Sequence, residues 1–133
     1  MYVLMDIEWY ERGGEQIPTQ LAALRIDDSL ERVTEFYTRF NPGQGKFDWS
    51  SIAFSGGRKT DFRNMAALPY LLGKFNFWLN NDDILIWWHE SGAKLLGKLY
   101  EAAGLEKPQM CVIHRSVAGQ SAKNVPGAAV LTT

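Results

Sequence analysis

From the N-terminus onward, the hydrophobic pattern of the chain is first that of strands and later that of helices. Tyr2-Val3-Leu4-Met5-Asp6-Ile7 is a short, β-prone apolar run that closes on acidic residues. Its near-continuity predicts an inner strand covered on both faces. Arg12-Gly13-Gly14 marks a turn, and Gln16 to Ile26 reads as a second strand. Asp27-Asp28-Ser29 marks another turn. From Leu30 to Phe40, Val33, Glu35 and Tyr37 alternate with Thr34, Phe36 and Thr38, the period of a third strand. Connections this short join strands antiparallel, so the first three elements form a meander. Asn41-Pro42-Gly43-Gln44-Gly45 breaks the pattern.

Phe47 to Arg63 is irregular, and from Asn64 the period lengthens. Leu68, Leu71, Leu72, Phe75 and Trp78 fall on one stripe of a helix that Asn80-Asn81 closes. Asp83 to Trp88 is a compact apolar run, read as a buried strand. Ser91 is placed to cap a second helix, in which Ala93, Leu95, Leu96, Leu99 and Ala102 recur and Gly104 is the stop. Pro108 leads into a last strand, Gln109 to Ile113, and the tail from Ser116 carries no clear pattern. Helix-separated strands are joined in parallel. The expected architecture is therefore a mixed α/β sheet, an antiparallel three-strand meander followed by parallel strands, flanked by helices.

At 133 residues and 46% apolar content, the chain supports one domain over 1–133 with a real core. Its net charge of −1 provides no global basic field for nucleic acid. Such a partner would need a local site in which metal ions offset phosphate charge. Nothing approaches the roughly 20 apolar residues of a membrane span, and Asp6 and Glu8 interrupt the N-terminal apolar run that a signal peptide would need. One cysteine, Cys111, cannot form an internal disulfide and fits a reducing cytoplasm. The expectation is a soluble, cytoplasmic protein with no membrane partner.

The sharpest chemical feature is Asp6-Ile7-Glu8. Residues two apart on a strand share a face, so the two carboxylates project side by side. Like charges held close cost stability unless a cation sits between them, and hard cations such as magnesium or manganese take oxygen ligands of this kind. Two such ions, about 4 Å apart, activate a water and stabilise the leaving oxygen of a phosphodiester. The competing reading is that Asp6 ends the strand and Glu8 opens a solvated loop.

Tyr2-Val3-Leu4-Met5-Asp6-Ile7-Glu8-Trp9 resembles the first motif of the DEDD (DnaQ-like) 3′-to-5′ exonuclease superfamily, which includes the proofreading exonucleases and ribonuclease T. Gln16-Ile17-Pro18-Thr19-Gln20-Leu21 is similar to that family's second strand, and Phe40-Asn41-Pro42 to its step after the third. The resemblance covers about the first 105 residues in element order. It implies a ribonuclease-H-like fold, Asp6 and Glu8 as catalytic metal ligands, a divalent cofactor (magnesium or manganese) and single-stranded or 3′ nucleic-acid ends as substrate. The second motif departs from the family: Trp87-Trp88-His89-Glu90-Ser91-Gly92-Ala93-Lys94 lacks the expected Asp, and Glu90 is the nearby carboxylate. So does the third, where His114-Arg115-Ser116-Val117-Ala118-Gly119 puts Gly119 at the acid's place. In a second register Val130 replaces the His, and the sequence stops at Thr133 as if truncated before the acid.

Further candidates follow from the same reading. The resemblance makes His114 the general base for an attacking water and Trp9 a substrate contact beside the acid pair. Ser55-Gly56-Gly57-Arg58-Lys59 can cradle a phosphate, so Arg58, Lys59 and Arg63 are the phosphate-contact candidates, against a plain surface turn. Trp49, Trp78, Trp87 and Trp88 can stack bases, although periodicity assigns Trp78 and Trp87 to the core. His89 and His114 show no metal-ligand spacing with Cys111 and read as structural. The resulting expectation is a metal-dependent 3′-5′ exonuclease-like domain, weak or inactive because two motif acids are missing. The alternatives are a catalytically dead relative that binds nucleic acid or protein, and a homodimer that completes the site.

Overall fold

The structure is a computed structural model that describes residues 1–41 and 67–114, and the backbone of 128–130. The strands are β1 (Tyr2–Arg12), β2 (Glu15–Ile26), β3 (Arg32–Arg39), β4 (Ile84–His89), β5 (Gln109–His114) and β6 (Ala128–Val130). The helices are α1 (Leu68–Trp78) and α2 (Glu90–Ala102). They build the expected mixed sheet, six strands in the order β3-β2-β1-β4-β5-β6. The first three pair antiparallel, and β4, β5 and β6 continue in parallel from β1. β6 falls in the pattern-free tail. Three small apolar residues carry no period of their own.

The β1–β2 hairpin closes between Arg12 and Glu15, with Gly13 and Gly14 at φ 58° and 81°. Positive φ at both central residues is what a two-residue type I′ turn requires. The register slips once, with Glu8 opposite Gln20 but Trp9 opposite Pro18. Thr19 is thus the extra residue of a β-bulge, and its hydroxyl donates to the Glu8 carbonyl at 3.2 Å. A bulge also accommodates Pro18, which has no N–H to give to the ladder.

Alternation along β1 divides the sheet. Val3, Met5 and Ile7 are buried, whereas Tyr2, Leu4, Asp6 and Glu8 are exposed. Register carries the buried set across to Ala23, Phe36 and Trp87. Both helices pack on that face: Phe75 of α1 meets Phe36 at 5.4 Å, and α2 lies over Trp87 and Ile7. The expectation that β1 is covered on both faces is therefore corrected. Tyr2, Leu4, Asp6 and Glu8 are open, because the apolar run Tyr2–Leu4 continues past the core on the solvent side, and on this strand Tyr10 is the even-numbered residue that is buried.

α2 also differs from expectation at its start. β4 runs straight into it, with His89 in the N-cap position without a side-chain cap and Ser91 already inside the first turn. Gly104 ends it as expected, at φ 69°. At the opposite end of the sheet, the only strongly paired buried charges among the described residues tie β2 to the start of β4. Arg25 donates to Asp83 at 2.7 and 3.1 Å and to the Trp78 carbonyl at 2.8 Å, with its guanidinium 3.9 Å over the Trp78 ring. Burial pushes the Asp83 carboxyl up, but hydrogen bonds from Arg25 and the Asn80 backbone, with the Arg25 charge, outweigh it and leave the group below its ordinary value.

Candidate functional site

The strand continues through Glu8 to Arg12, so Glu8 does not open a loop. Asp6 and Glu8 stand on the exposed face of β1, an inner strand flanked by β2 and β4. Among the described residues, neither carboxylate has a cationic partner within 4.0 Å. The Glu8 carboxyl sits above its ordinary value, held there by partial burial, then by the negative charge of Asp6 and a hydrogen bond to it. The repulsion expected from the spacing is thus present, and no described cation compensates it. The bulge at Thr19 lies directly across from Glu8, where such irregularities re-aim side chains.

These residues border a cavity of about 230 Å³, whose walls include Asp6, Glu8, Trp9, Trp88, His89 and Ser91. That is ample for a hydrated ion and a phosphate-sized group. The floor is set by Gly92. A Cβ there would lie 2.8 Å from Cε3 and Cζ3 of Trp87 and 3.3 Å from Cγ2 of Ile7, so only glycine lets α2 sit this close to β4.

Trp9 lines the same cavity as the acid pair. His114 does not line the cavity, whereas His89 does. The two imidazoles meet edge to face at 5.0 Å, with His114 on β5 directly opposite His89. Trp88 stacks on His114, the rings 5.7 Å apart and 4° from parallel. Glu90 begins α2, where its charge favourably meets the helix N-terminus, and it does not line the cavity. Trp87 is core, 2% exposed, as periodicity indicated. Arg58, Lys59, Arg63 and Trp49, with the 116–119 register of the third motif, lie outside the described residues. Among the described residues, no group of three or more His, Cys, Asp or Glu is placed to hold a metal ion.

No family model and no curated protein matches this sequence. Solved structures do. Escherichia coli exonuclease I in complex with a dT13 oligonucleotide superposes with a TM-score of 0.66 at 10% identity, over 79% of this chain and 24% of that one. The fold is exonuclease-like. A full-length 3′-exonuclease superposes with a TM-score of 0.51 at 14% identity, over 86% of this chain and 34% of that one. The chain thus spans about a quarter to a third of the length of these two enzymes. The meander-plus-parallel sheet is the ribonuclease-H-like form of this fold. No helix among the described residues is long and apolar enough to cross a membrane.

Proposed function

We propose that the domain engages the ends of nucleic-acid strands through a divalent cation, magnesium or manganese, held by Asp6 and Glu8, and that it hydrolyses phosphodiesters slowly. The observation that carries this reading is the carboxylate pair itself, side by side on an inner strand with no cation among the described residues to offset it. Oxygen donors of this kind suit hard divalent ions. Support also comes from the fold, shared with two exonucleases of which one is seen with an oligonucleotide. When bound, the ion would polarise a phosphoryl oxygen and lower the pKa of a coordinated water. The chain's own residues orient and enclose: Asp6 and Glu8 fix the ion's position, Trp9 and Trp88 wall the cavity, and His89 stands at its border to accept a proton, with His114 behind it.

A second reading, a binding module without catalysis, is favoured by one observation. The described residues bring no third acid or imidazole into a ligand group with Asp6 and Glu8. A homodimer that supplies the missing ligands is a third arrangement, marked by cleavage that rises more steeply than linearly with protein concentration. The proposed location is cytoplasmic, on the strength of the single, free Cys111.

Following a labelled oligonucleotide while manganese is titrated separates these readings. Metal-dependent cleavage abolished by Asp6→Ala rules out the binding-only module. No cleavage, together with no heat of metal binding, rules out the metal-dependent enzyme.

A further inference from the structure

We infer that Trp88 is the platform on which the terminal, unpaired base of a single strand stacks, so that the site selects frayed or single-stranded ends over paired ones. The inference rests on the nucleic-acid reading above and assigns the residue that recognises the base. Trp88 borders the same cavity as Asp6 and Glu8, yet 60% of its surface is exposed. A large indole left this open is unusual for a residue in the run Ile84–His89, whose neighbours Leu85, Ile86 and Trp87 are all buried.

The ring is also held in place. His114 lies parallel to it at 5.7 Å, and His114 is itself braced edge-on by His89 at 5.0 Å. Three rings on the adjacent ends of β4 and β5 thus pack against one another, one pair stacked and two edge to face, which lowers the side-chain entropy lost when a base binds. A base attached to a phosphate at the acid pair comes within reach of Trp88, the exposed one of the three indoles that wall the cavity. A base in a duplex already has its faces covered by its neighbours, so stacking on Trp88 requires an unpaired end. Every base has a π face, so little preference among the four bases is expected.

The test is equilibrium binding of a single-stranded oligothymidylate carrying 2-aminopurine at its 3′ end, in calcium to suppress cleavage. Anisotropy reports affinity and probe fluorescence reports stacking. With wild-type protein, the terminal probe is quenched, an internal probe is much less so, and a blunt duplex competes poorly. Trp88→Ala abolishes the terminal quench and weakens binding by about 5- to 150-fold, the range that one lost base stack represents. Trp88→Phe retains most of both, and thermal melts confirm that each variant is folded. Binding in which Trp88→Ala keeps the quench and the affinity overturns the Trp88 assignment and leaves the nucleic-acid reading standing. Wild-type protein that binds neither probe overturns that reading and the assignment with it.

Discussion

Gly92→Ala is expected to destabilise the protein, although alanine is the better helix former. The added Cβ would sit 2.8 Å from two carbons of the Trp87 ring, where carbon atoms prefer about 3.5–4.0 Å. Trp87 is 2% exposed and packed in the core, so its ring cannot swing aside. The first turn of α2 must instead back away from β4 by roughly 1 Å. Overpacking of this kind costs about 1–3 kcal/mol, and the gain in helix propensity returns up to about 1 kcal/mol. The net loss is about 1–2 kcal/mol, or several degrees in Tm for a domain of this size. At Gly97, in the same helix, an added Cβ would meet nothing within 4 Å, so Gly97→Ala should stabilise by about 0.5–1 kcal/mol. Thermal and urea melts followed by far-UV circular dichroism compare the two. Equal stabilisation by both substitutions would refute the close approach of α2 to Trp87, and with it the floor of the cavity.

Other expectations can be checked in the same assays. Asp83→Asn leaves the buried Arg25 guanidinium without its charge partner and should cost about 3–5 kcal/mol; a loss below about 1 kcal/mol in urea melts contradicts a tight pair. Because the Asp83 carboxyl is lowered in the folded state, its contribution is present above the ordinary carboxylate range and is lost as pH falls through the lowered value. Wild-type acid unfolding should flatten in Asp83→Asn over that window. The Glu8 carboxyl is raised, so the sign reverses: its contribution is fullest at low pH and is lost as pH rises through and above the ordinary glutamate range. Glu8→Gln should remove that loss in metal-free buffer, and an unchanged pH profile would count against the coupling to Asp6. Leu30 is 75% exposed at φ 61°, in a turn where Asp27 accepts from the Ser29 and Glu31 N–H groups. Leu30→Asn should stabilise by about 0.5–1 kcal/mol through relief of left-handed strain, and a destabilised variant contradicts that.

The parts of the fold legible in the sequence are those governed by local periods. Alternation from Val33 to Thr38, the Gly13-Gly14 turn and the stripe Leu71, Leu72, Phe75 locate the meander and α1 because side-chain direction follows residue spacing. The shared face of Asp6 and Glu8 follows from the same geometry. Features that depend on pairing across the sheet are not legible in this way. Arg25 and Asp83 are 58 residues apart and read separately as ordinary polar residues. The bulge at Thr19 has one signal, a proline inside a strand, which the apolar run around it conceals. Cap preference places the start of α2 at Ser91, whereas the helix begins directly after β4, with Gly92 packed against Trp87. His89 borders the cavity and its register partner His114 does not, because β4, not β5, is the strand beside β1.

The central claim is that Asp6 and Glu8 form a divalent-cation site, and the most direct test is thermal unfolding of wild type and Asp6→Asn across a manganese titration. Wild type should gain Tm with manganese, by about 2.7 kcal/mol of added stability at one hundred times Kd. Asp6→Asn should start slightly more stable in chelator, since the repulsion on Glu8 is gone, and then respond little to the metal. A wild-type Tm that manganese leaves unmoved, or one that rises equally in Asp6→Asn, contradicts the site.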